Sequence, residues 1–312
     1  MDTRRLASLR AVVRRTLPIV DFICSGNCSE LTVRIRVARN ASSNVCLRSE
    51  IYRVVGFLGD RTLLGSVEWR NSRSPPLLRS NEIHVWRSHL AVDAFSQSLL
   101  HSYLNEEENE RAARFRFDCD RTRFMTARGT LRALLAQYLC RHPGDLQFVF
   151  GSEGKPALAP DSAGEAVGFN LTHSQDMAVF AFGRDRNIGV DVERTRSDVD
   201  CEIIARHYFS AREMRSLARL PRHRRVEGFF LCWTRKEAYI KACGGGLQIP
   251  LDSFDVNMEP GVPAHFLGGV DPSWRINSFR AGSDYPVALV YDGRPPVDFQ
   301  FYTLNRNSGW LL

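Results

Sequence analysis

The stretch Phe229–Leu247, FFLCWTRKEAYIKACGGGL, limits what this chain can fold into more than any other. Its apolar residues keep a helical period, and Gly244-Gly245-Gly246 supply a helix stop. At 100° per residue Val226, Phe229, Phe230, Trp233 and Ile240 share one face, expected to be buried. Glu237 and Lys241 project from the middle of that face. An unpaired charge is costly to bury, so both need partners. On a solvated face an i,i+4 Glu–Lys pair would be commonplace and weak. On an apolar face the pair points to a site.

The 312 residues suffice for two average domains or one large one. At 44% apolar and 25% charged, the composition is that of an ordinary soluble protein, and no apolar run is long enough for a membrane span. The eight cysteines form neither a CxxC pair nor a regular framework, and Cys24 and Cys28 lack a matching Cys/His pair. This pattern favours a reduced, cytoplasmic protein without a structural zinc. The net charge of +7 is unevenly placed. Residues 1–80 hold fourteen arginines against six acids, and residues 81–312 hold 28 bases against 29 acids. The main body is near neutral, which argues against nucleic-acid binding there. Only three of the 42 basic side chains are lysine: Lys155, Lys236 and Lys241. A chain that uses arginine almost everywhere keeps a compact ammonium at three places.

Residues 1–80 are read as an Arg-rich, poorly packed N-terminal extension. Leu31–Arg39 alternates like a strand, Ile51–Leu58 and Leu63–Trp69 resemble a hairpin, and 71–76 reads as a linker. From Glu82 the pattern becomes regular. A strand at Ile83–Trp86 precedes a helix from near Asn105, with Glu106, Glu107 and Glu108 in its first turn and Arg111 and Arg114 in its last. A longer helix follows, N-capped by Asp118 or Asp120 and stopped at His142-Pro143-Gly144. Its stripe is Phe124, Leu131, Leu134, Leu135, Tyr138 and Leu139; Arg121, Arg123, Arg128 and Arg132 line its other, mostly solvated sides. Strands are expected at 146–150, 167–172, 177–182 and 188–192, with a tight turn over 151–158. A helix over 201–218 leads to the helix that bears Glu237, and short strands at 253–257, 286–291 and 299–304 close the chain. Strand, helices, strands thus occur twice, before and after about residue 185. The expectation is an α+β protein of two similar halves, 81–185 and 186–312.

In Ile188-Gly-Val-Asp-Val-Glu193, strand alternation sends Ile188, Val190 and Val192 one way and Gly189, Asp191 and Glu193 the other. The two acids sit roughly 6–7 Å apart on one side of a strand, and Gly189 is expected to leave that face open. Such acids repel unless a cation or a proton lies between them. A hard divalent ion such as Mg²⁺ suits them, and a solvated face with Arg194 and Arg196 as counterions is the competing reading. Glu237 strengthens the metal reading, because an inward carboxylate needs a partner. Lys241 would then neutralise a bound anion, His173 at a strand end could donate to a phosphate, and Pro156 stiffens the backbone after Lys155.

Four motifs occur in order: Gly154-Lys155-Pro156, Phe169-Asn-Leu-Thr-His-Ser174, Gly189-Val-Asp-Val-Glu193 and Trp233-Thr-Arg-Lys-Glu-Ala-Tyr-Ile-Lys241. Together they resemble the Sfp-type 4′-phosphopantetheinyl transferases over about residues 83–292. The resemblance implies a pseudo-two-fold arrangement of two α+β halves, sufficient as a monomer. It implies that Asp191, Glu193 and Glu237 bind Mg²⁺, that Glu237 is a general base, and that Lys241 lies near the phosphates of coenzyme A. Arg111, Lys155, Pro156, Thr172 and His173 match coenzyme A positions, with Thr172 where the family has serine. Glu108 stands where one member of the family's basic pair is expected, which leaves the 3′-phosphate without that contact. The implied reaction moves phosphopantetheine from coenzyme A to a serine of an apo acyl carrier or peptidyl carrier protein, releasing 3′,5′-ADP. The arginine-bearing helix over 120–140 is the expected docking face. A metal-dependent phosphodiesterase and a non-catalytic carrier-binding module are the competing functions.

Overall fold

A computed structural model describes residues 67–160, 167–293 and 297–304. The strand expected at 31–39 and, apart from residues 67–69, the hairpin expected over 51–58 and 63–69 lie outside these residues. The strands are β1 Arg70–Ser72, β2 Glu82–His89, β3 Phe148–Phe150, β4 Pro156–Leu158, β5 Val167–Ser174, β6 Met177–Arg184, β7 Ile188–Val192, β8 Asp255–Val256, β9 Phe266–Gly268, β10 Trp274–Gly282, β11 Tyr285–Asp292 and β12 Asp298–Leu304. The helices are α1 Ala94–Ser102, α2 Glu106–Ala113, α3 Asp118–Leu139, α4 Cys201–Tyr208, α5 Ala211–Arg219 and α6 Arg222–Cys243.

Strand alternation explains the α+β layering. Trp86, Phe180 and Phe182 face α3 and pack on Leu131, Leu134 and Leu135. Their neighbours Val85, Val179 and Ala181 turn the other way, onto Ile188, Val190, Val192, Val287 and Leu289. On the far side of that second sheet, Ala288 and Val290 meet Phe229, Phe230 and Ile240 of α6. The layers therefore run α3, sheet, sheet, α6. Buried on both faces, β6 reads as the continuous apolar run MAVFAF rather than as an alternation.

The first sheet has the order β1-β12-β2-β6-β5 and the second β10-β11-β7, while β3–β4 and β8–β9 are separate two-stranded pairs. β12 inserts between β1 and β2 with parallel pairing on both sides. The sequence reading treats 71–76 as a linker, but this stretch begins in β1. Trp69 stacks edge-on against Phe301, so residues 67–80 contribute to this core rather than to a loose extension.

Other local expectations also change. The 201–218 helix is two helices, broken where Ser210 caps α5 through a reciprocal pair with Glu213. The long helix α3 has no side-chain cap; Phe117, not Asp118 or Asp120, stands at its N-terminus. Arg128 and Arg132 are buried rather than solvated, because both bond Glu108, at 2.5 and 2.7 Å. Glu108 also closes a capping box with Asn105. Its carboxylate is fully occupied in holding α2 to α3, which explains an acid at that position. With Arg128 and Arg132 turned inward, the expected docking face loses two of its four arginines.

Candidate active site

The site lies where β5, at the edge of the first sheet, runs beside β7, at the edge of the second. Side chains join them. Asn170 Oδ1 accepts the Val190 N–H at 2.8 Å, Thr172 Oγ1 accepts that of Val192 at 3.4 Å, and Ser174 Oγ that of Arg194 at 3.1 Å. Period two places all three on one face of β5. The two hydroxyls also donate to the acids: Thr172 to Asp191 Oδ1 at 3.1 Å and Ser174 to Glu193 Oε2 at 2.8 Å. Asn170 and Ser174 were not among the expected site residues. Their sequence signal is the polar alternation inside FNLTHS.

Helix α6 supplies the other wall. Ile188, Val190 and Val192 turn into the core between the sheets, as the alternation requires. Gly189 faces α6, and here the expectation of an open face fails. A Cβ at Gly189 would stand 2.1 Å from the Ala238 carbonyl oxygen and 2.3 Å from the Ala242 nitrogen. The glycine admits the helix backbone rather than a ligand. That close approach brings Lys241 Nζ to 2.5 Å from Asp191 Oδ1 and 3.4 Å from Thr172 Oγ1. The helix ends where expected, at Gly244 with φ 73°.

The electrostatics follow from three carboxylates facing one ammonium. Burial raises the pKa of Asp191, against the pull of Lys241 and Thr172. Burial and then the charge of Asp191 push Glu193 up to about 8, although the Ser174 hydroxyl works the other way. Glu237 is raised to about 7 by burial, with Lys241 opposing and Asp191 adding. Burial disfavours the charge on Lys241, but Asp191 and Glu237 hold its pKa above the usual lysine value. One buried oxygen, Asp191 Oδ2, has no hydrogen-bond partner. Among the described residues, no three His, Cys, Asp or Glu side chains are drawn together into a ready-made metal shell. The acids share one field, and the cation that meets Asp191 is Lys241.

Two family models match successive parts of the chain. One, described as 4′-phosphopantetheinyl transferase, N-terminal, covers residues 93–184; the other, the 4′-phosphopantetheinyl transferase superfamily, covers 187–290. The 4′-phosphopantetheinyl transferase HetI of Nostoc sp. is 38% identical over 216 residues, which is 69% of this chain and 90% of that protein. The chain belongs to the 4′-phosphopantetheinyl transferase superfamily. The transferase Sfp of Bacillus subtilis is 30% identical over 203 residues, 61% of this chain and 87% of its own. A phosphopantetheinyl transferase of Thraustochytrium sp. is 28% identical over 221 residues, 66% and 75% of the two chains. This protein is accordingly an enzyme of the phosphopantetheinyl transferase type, a family that uses coenzyme A as substrate. No helix among its described residues is long and apolar enough to cross a membrane.

Within this transferase, Thr172, Asp191, Glu193, Glu237 and Lys241 come together at the β5–β7–α6 junction. His173 is exposed at the end of β5, beside Thr172. Lys155 ends the β3–β4 turn and Pro156 opens β4, with the Lys155 ammonium turned to the backbone of β7 and α6. The Arg111 guanidinium lies 5.5 Å from the centre of the Phe124 ring of α3. Tyr208, which the sequence reading did not single out, packs edge-on against Trp233, and its pKa is raised by burial and by Glu237.

Proposed function

We propose that the enzyme transfers the 4′-phosphopantetheine group of coenzyme A to a serine of an apo acyl carrier or peptidyl carrier protein, with Mg²⁺ as cofactor. The observation that carries this reading is a cluster of buried carboxyl groups, each raised in pKa, that could ionise together only with a further cation among them. Three carboxylates face one ammonium, and Asp191 Oδ2 has no partner. Hard oxygen donors with net negative charge suit a divalent cation, so the residues fit Mg²⁺. Asp191, Glu193 and Glu237 would hold it. Once bound, Mg²⁺ would offset charge building on the pyrophosphate.

The remaining chemistry belongs to the side chains. The serine oxygen of the carrier forms a bond to the phosphorus of the pantetheine arm as the bond to 3′,5′-ADP breaks. Glu237, the general base that the family pattern implies, would accept the serine proton. Lys241 carries the positive charge that steadies the leaving phosphate. His173, exposed next to the cluster, offers a donor to a coenzyme A phosphate; Thr172, Arg111 and Pro156 are further contacts implied by the family pattern. Phe229, Phe230 and Trp233 form an apolar face of α6 that would keep water from that side and strengthen each charge interaction. One chain supplies both walls, so a monomer suffices, in the reducing, cytoplasmic setting that the cysteine pattern favours.

The test is to incubate the purified protein with coenzyme A, Mg²⁺ and a panel of apo carriers, measuring 3′,5′-ADP and carrier mass together. Equal amounts of nucleotide and modified carrier are expected. Nucleotide released without any carrier would instead identify a phosphodiesterase.

A further inference from the structure

Lysine is rare in this chain, and two of its three lysines share a use. Lys241 meets Asp191. Lys236 is fully buried, donating to the Leu251 and Phe254 carbonyls at 2.6 Å each and to Glu213 at 2.8 Å. Lys155 also binds a pair of carbonyls, those of Ile188 and Ala242, at 3.0 Å each. A compact ammonium with three donors fits between two carbonyl oxygens where a wide guanidinium fork does not.

The two carbonyls that Lys155 holds belong to the two elements that build the site. Ile188 opens β7, three residues before Asp191, and Ala242 follows Lys241 in the last turn of α6. A carbonyl in the last turn has no partner within its helix, and the negative end of the helix dipole favours a cation there. Between the two bonds lies the close contact at Gly189, where β7 and the α6 backbone touch. The base of the lysine is fixed as well. Gly154 turns the chain with φ 76°, and the Gly151 N–H donates to the Lys155 carbonyl at 2.9 Å. The ammonium is therefore delivered from the β3–β4 turn to the seam between β7 and α6.

We propose that Lys155 is a positioning residue that clamps the C-terminal turn of α6 to β7 and so sets Lys241 and Glu237 against Asp191. This assignment rests on the transferase reading above, and it departs from the coenzyme A contact that the family pattern implies for Lys155. A ligand contact and a clamp differ in kinetics. Loss of a contact used equally in binding and in the transition state raises KM; loss of alignment lowers kcat.

The experiment compares the full-length enzyme with Lys155→Met, using steady-state kinetics with a saturating apo carrier and hydrogen exchange of the coenzyme-free protein. The expected result is a fall in kcat of about tenfold or more with KM for coenzyme A within about threefold. Amide exchange over 188–192 and 240–244 should quicken, and exchange in α3 should not. Lys155→Arg, which keeps a cation at the helix end, carries the same comparison if the methionine variant does not fold. A rise in KM above about tenfold with kcat intact would overturn the clamp in favour of a ligand contact. Unchanged kinetics with a lowered Tm would overturn it in favour of a purely structural role. If the wild-type chain modifies no carrier, the transferase reading fails by itself, and the clamp is judged by exchange: unchanged protection over 188–192 and 240–244 would overturn it.

Discussion

Ser174 shows how much a single hydroxyl can be asked to do. It accepts the Arg194 N–H and donates to Glu193, fixing backbone and carboxylate together. Ser174→Ala should leave the fold intact and weaken binding of Mn²⁺, as a spin-active stand-in for Mg²⁺, by about 1 kcal/mol, or about fivefold, in an EPR titration. Unchanged affinity would show that Glu193 needs no such anchor. At this scale the sequence is informative where chemistry follows from spacing. Asp191 and Glu193 share a strand face, and Glu237 and Lys241 share a helix face, because periods of 2 and 3.6 decide it. It is silent about what lies opposite. Gly189 looks like an open face until α6 is laid on it, and Arg128 and Arg132 look solvated until Glu108 arrives from another helix.

The elements that carry these residues are held by buried polar pairs. Lys236, adjacent to Glu237, is bonded to Glu213 of α5, and both side chains are fully buried. Lys236→Met leaves that carboxylate without its cation, so chemical denaturation should show a loss of about 3–5 kcal/mol. A loss under about 1 kcal/mol would mean that Glu213 is protonated in the fold and indifferent to the lysine.

A second buried cluster predicts acid sensitivity. The Tyr138 hydroxyl lies 2.8 Å from His84 Nδ1 and accepts the Trp86 indole N–H at 2.9 Å, while His84 Nε2 lies 3.3 Å from Glu82. This network makes Nδ1 the acceptor and Nε2–H the donor of a neutral ring. Burial lowers the pKa of His84 below its usual 6.5, with Glu82 pulling the other way. As pH falls through 6.5 the unfolded chain takes up a proton that the folded ring refuses, so stability declines until the lower folded pKa is reached. For Glu82 burial acts upward, but the Arg79 N–H and His84 hold its pKa below 4.5, so its contribution is lost further into acid. Glu193 and Glu237, raised to about 8 and about 7, act in the opposite sense over this range. Between about pH 7.5 and 5.5 the Tm of His84→Gln should therefore gain on that of the wild type. Parallel Tm profiles for variant and wild type would show that His84 makes no such contribution.

Across the whole molecule, element type was more legible than arrangement. The 22-residue helices α3 and α6 and strands such as Ile188–Val192 follow from local pattern. The placement of β12 between β1 and β2 does not, since it pairs residues more than 200 positions apart through packing that no local window contains. The same limit explains why Arg70–Ser72, with no period of its own, reads as linker. Long-range pairing is also what makes the site. β5 and β7 sit on different sheets, and the cluster exists only because Asn170, Thr172 and Ser174 stitch one edge to the other.

The central claim is that this cluster performs metal-dependent transfer of phosphopantetheine, and intact-protein mass spectrometry of an apo carrier tests it most directly. Carrier, coenzyme A and Mg²⁺ are incubated with the wild-type enzyme or with Asp191→Ala, whose fold is checked by circular dichroism. The account predicts gain of the phosphopantetheine mass with wild type, its loss on chelation of the metal, and no gain with the folded variant. A folded Asp191→Ala enzyme that modifies the carrier at the wild-type rate would contradict it.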